Sequence, residues 1–200
     1  MKKLILLISV LTLVSFTEII NGLTDVERLT AIAEMTTTHD HLINSLKGLS
    51  KEQLNFKSSP DSWSIAECTE HIAISEENIF GMAQGTLKTA ADPSRRSEVK
   101  MTDEEILAMM VDRSEKVKTS APFEPSGKYG SHEATLKAFK AKRKSNMQYV
   151  ATTEDDLRNH YAEMPFGTMD AYQVLLFMSA HCERHILQIE EVMADANFPK

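Results

Sequence analysis

The sequence has little of what a disulfide-stapled, sheet-rich or polyanion-binding protein needs. Only two cysteines occur among 200 residues, too few for a disulfide framework. Cys68 and Cys182 both fall in stretches that read as helix. Two readings stand for them: pairing in an oxidising compartment, or burial as unpaired, small apolar side chains. Glycine and proline are scarce, at 7 and 6 residues, and β-branched runs are short, which favours helices over sheets. Positive charge is also short, for the formal net charge is −7. Affinity for nucleic acid comes largely from Lys and Arg neutralising phosphates, so no nucleic-acid partner is expected. The densest basic stretch, Lys137 to Lys144, carries charges at 137, 140, 142, 143 and 144. It reads as a solvated helix face.

Long apolar runs are missing except at the start. Lys2 and Lys3 precede an apolar run from Leu4 to Val14, followed by the small-x-small pattern Ser15-Phe16-Thr17. A basic start, a short apolar middle and a small-residue exit describe a secretory signal peptide. The run is shorter than the roughly 20 apolar residues of a membrane span. No cysteine lies near the junction, which excludes lipid attachment there. The expectation is a signal peptide over residues 1–22, cut somewhere between roughly residues 17 and 23. It implies an exported, periplasmic or secreted protein with no stable membrane association after cleavage; an uncleaved anchor is the alternative. Residues 23–200 are then one domain, long enough for a real core and too short for two.

What is present is a series of helices opened by cap signals. Thr24 with Glu27, Ser64 with Glu67 and Thr102 with Glu105 are capping boxes, each a hydroxyl followed three residues later by a carboxylate. They predict helices to about Leu46, Leu87 and Val117. Ser131 caps a fourth helix to about Val150, and Thr168 a last one to about Ala194. Gly48 stops the first helix. Ser50–Asp61, Ala91–Lys100, Ala121–Gly130 and Thr152–Gly167 read as connections. Most of the eleven methionines sit inside helical patterns, where Met fills core gaps. The expected fold is all-α, a bundle.

Seven histidines remain to be weighed. His181 and His185 are four apart, one turn of the same face, a spacing at which two imidazoles can ligate one metal. By helical phase Val174, Phe177, Met178, Gln188 and Val192 share that face, so the pair sits in an apolar stripe. Buried imidazoles need partners for their ring nitrogens. A metal satisfies both, although the same spacing also occurs on ordinary helices. His71, on the second long helix, is the third candidate, or else a hydrogen-bonded core histidine. Glu67, one turn before it, is a candidate catalytic base, or simply the partner in its capping box. His39 and His41 diverge by about 200° on their helix and cannot both enter one site; either reads as surface or cavity lining. Glu183 reads as solvent-facing. His132 and His160 carry no geometric argument.

Trp63-Ser64-Ile65-Ala66-Glu67, followed by Glu70-His71-Ile72, resembles the W-S-x-x-E-x-x-x-H segment of DinB-like proteins of the DinB/YfiT superfamily. The stretch from Phe166 through Asp170, Ala180-His181-Cys182-Glu183-Arg184-His185 and Gln188 to Val192 resembles the closing helix of that family. The resemblance implies a four-helix bundle of DinB-like topology with an added short helix. It also implies a divalent metal held by His71, His181 and His185. Zinc is the default, with nickel or iron suited to the same nitrogen ligands. The function expected is a metal-dependent hydrolase using that metal and its bound water on an unknown small substrate. Two alternatives are transfer of a low-molecular-weight thiol and a non-catalytic metal-binding or stress-related bundle protein. Association into a homodimer is left open. The signal peptide departs from the family's usual cytosolic pattern.

Overall fold

A computed structural model describes residues 22–115 and 117–200; the expected signal peptide falls almost wholly outside the described residues. The chain is mostly helical. In order it forms α1 (Asp25–Ser45), α2 (Lys51–Asn55), α3 (Ile65–Thr86), α4 (Asp103–Val111) and α5 (His132–Thr152). The hairpin β1 (Tyr161–Met164) and β2 (Gly167–Asp170) follows, and α6 (Ala171–Met193) closes the order. No helix among the described residues is long and apolar enough to cross a membrane.

Helix α6 is the hub, packed against α1, α3 and α4, while α5 closes against α1 and α3. Its first ten residues, Ala171 to Ala180, are all buried, which explains why that stretch reads as an almost continuous apolar run. The middle of α3 is likewise covered on most sides, from Cys68 to Glu76. One core cluster joins Met35, Ile79, Ile106, Val150 and Leu175; a second joins Leu42, Cys68, Ile72, Phe139, Cys182 and Ile186. Both cysteines are buried free thiols. The three sequence-predicted capping boxes are all formed, each hydroxyl accepting the amide three residues on.

The departures from the sequence reading have local causes. Within Ser50–Asp61 a five-residue helix forms, because Ser50 and Gln53 make a further capping box. Helix α4 ends at Val111 and does not reach Val117. There the Arg184 guanidinium donates to the carbonyls of Met110, Asp112 and Glu115, satisfying groups that a continuing helix would have used.

Residues Tyr161 to Asp170 form an antiparallel hairpin with Met164 opposite Gly167, where an irregular connection was expected. The turn residue Pro165 has its φ fixed near −65° by its ring. The positive backbone angle therefore falls on Gly167, at φ 131°, where a side chain would be strained. The last helix is capped two residues later than expected. Asp170, not Thr168, accepts the Gln173 amide at 2.8 Å, because Thr168 is held in the hairpin.

The basic stretch of α5 is not wholly solvated. Arg143 is fully buried and forms a two-pronged pair with Glu76, at 2.9 and 2.8 Å. Its remaining nitrogen donates to the Met35 carbonyl and Thr38 Oγ1. Asn146 donates to Glu76 at 2.9 Å, and Thr38 meets Ser179 at 2.9 Å. The network ties α1, α3, α5 and α6 together through polar groups that are all paired, the condition for tolerating buried charge.

Candidate metal centre

His71 enters from α3, and His181 and His185 enter from α6. His71 Nε2 lies 3.0 Å from His185 Nε2 and 3.3 Å from His181 Nε2. One ligand nitrogen from each ring falls within 4.8 Å of the other two. The imidazole centroids are 4.2 to 5.0 Å apart. Two nitrogens bound to one tetrahedral zinc at about 2.0–2.1 Å stand about 3.3–3.4 Å apart, close to the spacings seen.

Second partners settle two of the three tautomers. His71 Nδ1 lies 2.7 Å from the Phe123 carbonyl, which can only accept, so Nδ1 carries the proton and Nε2 the lone pair. His185 Nδ1 lies 2.8 Å from Gln188 Oε1; with the amide oxygen toward the ring, as it stands here, Nδ1 again carries the proton. Two lone pairs therefore face each other across 3.0 Å. Without a positive centre between them that contact is repulsive; a cation converts it into coordination. Orienting partners of this type are what ligating histidines carry. The third ring is less constrained: His181 Nδ1 is buried and meets no hydrogen-bond partner among the described residues.

Burial keeps the rings neutral, as ligands must be. Burial pushes the His71 pKa down, the Phe123 bond opposing it. Burial, reinforced by His71, pushes His185 down to about 3. Burial and the two other imidazoles push His181 well below its ordinary value. The residues present thus fit a divalent metal: three neutral nitrogen donors, two of them oriented from behind. Ser75 Oγ stands 3.5 Å from His71 Nε2. Trp63 lies against the triad, its ring 4.8 Å from that of His71 and 6.1 Å from that of His185.

Glu67 is occupied elsewhere. Its Oε2 accepts the Ser64 amide at 2.7 Å, and Lys57 Nζ lies 2.8 Å from each carboxylate oxygen. Burial raises its pKa, but the Lys57 and Ser64 bonds more than offset this and hold it low. The capping role assigned from sequence is thus formed, together with an ion pair. His41 stands apart from the triad, bridging Glu183 at 2.9 Å and Glu190 at 2.9 Å. Glu183 is consequently half-buried, not solvent-facing. His39 stacks on Phe139 and pairs with Asp40. His160 Nδ1 meets the Thr86 carbonyl at 3.1 Å.

The sequence reading missed the supporting role of two groups, although it placed Gln188 on the face of the pair. The Phe123 carbonyl is main chain and leaves no side-chain signal. Gln188 has one, for it lies three residues after His185 and so on the neighbouring turn of the same face.

A model described as the DinB superfamily matches residues 34–189. The uncharacterized protein YuaE of Bacillus subtilis (strain 168) is 29% identical over 150 residues, covering 74% of this chain and 88% of that protein. No solved structure gives a significant match.

Proposed function

The chain belongs to the DinB superfamily, and from that premise we propose that it is a metal-dependent enzyme, a hydrolase acting on a small molecule. The metal is divalent, with zinc as the first choice, and its ligands are His71, His181 and His185. The observation that carries this reading is the convergence of the His71, His181 and His185 nitrogens, with the Nδ1 atoms of His71 and His185 turned instead to Phe123 and Gln188. A core histidine cluster with no ion would put a proton between His71 and His185, by turning a ring or by rotating the Gln188 amide to donate to His185 Nδ1.

A divalent metal so held supplies Lewis acidity and lowers the pKa of a coordinated water to about 7. The chain's own part is to keep three rings neutral and oriented. His71 and His185 are held by Nδ1 protons donated to oxygens, and Trp63 covers their flank. Three protein ligands on a tetrahedral metal leave a fourth position for water or substrate, the pattern of catalytic rather than structural zinc. The four long helices α1, α3, α5 and α6 pack on one another, with the short α4 added against α6, which supports a DinB-like four-helix bundle with an additional short helix. The proposal includes export, with residues 1–22 removed as a signal peptide.

Metal analysis of the protein purified without chelator, alongside His185→Ala, tests the reading. About one equivalent of divalent metal in the parent and its loss from a folded His185→Ala variant are expected. A parent that binds no zinc, nickel, iron or cobalt stoichiometrically would refute it. Hydrolysis is tested separately, by chelator-sensitive turnover on a panel of chromogenic esters, amides and phosphoesters.

A further inference from the structure

The triad is not covered equally. His71 and His185 are 2% and 8% exposed, whereas His181 keeps partial exposure. His181 is the member of the triad that keeps part of its surface open. The Phe177 ring stands 5.9 Å from its imidazole, one turn earlier on α6. The ring of Phe166 lies 5.7 Å from that of Phe177. Trp63 lies against His71 and His185. Each imidazole thus has an aromatic ring as a neighbour.

Phe166 is the unusual member. It occupies a two-residue hairpin turn, where polar residues and glycine dominate, and yet is 40% exposed. The hairpin is not loose. Its turn is set by Pro165 and by Gly167 at φ 131°. Its second strand is bridged at Thr168 to Val99, and Thr168 Oγ1 donates to Glu163 across the pair. The turn thus holds an exposed phenyl ring against Phe177, which in turn packs on His181.

We propose that Phe166, with its neighbour Phe177 and with Trp63 on the histidines, forms the recognition surface for the substrate's apolar body. The substrate class is then a small molecule with a metal-seeking head and an aromatic or comparably flat apolar portion. Phe166 determines that preference. This rests on the metal reading above.

The test uses cobalt-loaded protein and two hydroxamate probes that share a head: acetohydroxamate, with a methyl body, and benzohydroxamate, with a phenyl body. Binding is read from the cobalt visible absorption. Benzohydroxamate is expected to bind the parent about 5- to 10-fold more tightly, the gain of one well-placed aromatic contact. Phe166→Ala should remove that preference and leave acetohydroxamate affinity within about twofold, since the shared head contacts are untouched. Phe166→Tyr, which keeps the ring, should retain the preference. Equal affinities for the two probes in the parent, or a preference that survives Phe166→Ala, would overturn the inference alone. A parent that takes up no cobalt would overturn the metal reading and this inference with it.

Discussion

Removing one partner of the buried Arg143–Glu76 pair should be among the most damaging single changes outside the metal centre. In Glu76→Ala the guanidinium stays in the core, 0% exposed, without its carboxylate. Burial alone favours the neutral form of Arg143, and Glu76 first, with Cys182 beside it, raises its pKa again. Breaking a buried pair in this way costs about 3–5 kcal/mol. For a domain of this size that corresponds to a fall in Tm of about 6–20 °C. Arg143→Met should cost a similar amount, because it strands Glu76 with Asn146 as its one remaining donor.

The double variant Glu76→Ala/Arg143→Met leaves neither charge behind. It should cost less than the sum of the singles, with a coupling of at least about 2 kcal/mol. Part of the cost remains, because Thr38 and Asn146 each lose a buried partner, worth about 1–3 kcal/mol apiece. Urea unfolding followed by circular dichroism at 222 nm gives the four stabilities of the cycle. Additive singles, or a Glu76→Ala cost below about 1 kcal/mol, would refute the idea that this network holds the helices together. The network also reaches the metal centre: Thr38 meets Ser179, two residues before His181 on α6. The singles should therefore weaken cobalt affinity without touching a ligand.

Other expectations follow from the same contacts. Burial lowers the His41 pKa, but its bonds to Glu183 and Glu190 more than offset this and raise it above 6.5. Its stabilising contribution is then complete below about pH 6.5 and is lost as pH rises through the higher folded value. His41→Gln should flatten the decline in urea midpoint between pH 6 and pH 9, and an unchanged slope would count against the bridge. Burial pushes both thiols up to about 12, so a thiol reagent such as dithionitrobenzoate should modify neither cysteine at pH 8 until denaturant is added; fast labelling of the native protein would contradict their burial. Gly167→Ala forces a side chain into φ 131° and should cost about 1–3 kcal/mol, read from the Tm; a neutral result would mean the turn relaxes.

Much of the candidate site was legible because its signals are local. The hydroxyl-to-carboxylate spacing at Ser64 and Glu67 fixes where α3 begins, and hence the phase at which His71 points. The four-residue interval between His181 and His185 fixes their common face. That α3 and α6 meet is a long-range fact, and only the resemblance to DinB-like proteins supplied it in advance. The hairpin was hidden for a different reason. Tyr161-Ala162-Glu163-Met164 is too short to show strand periodicity, and its turn carries Pro165 and Phe166 where a hairpin ordinarily signals Asn-Gly or Asp-Gly.

Arg143 is the instructive miss, because its signal was present and composition masked it. Five basic residues between 137 and 144 look like a solvated face when they are counted. Taken by phase, Arg143 follows Thr135 and Phe139 at four-residue intervals, and Asn146 and Val150 come three and seven residues later. Those four neighbours are the other buried residues of α5, so Arg143 sits in the middle of the core stripe. A guanidinium there demands a carboxylate that is equally out of place. Glu76 meets that description, lying between Ile72 and Ile79 on the covered face of α3. Two charges, each at a core phase of its own helix and of opposite sign, predict each other. That argument would have set α3 against α5 from the sequence alone.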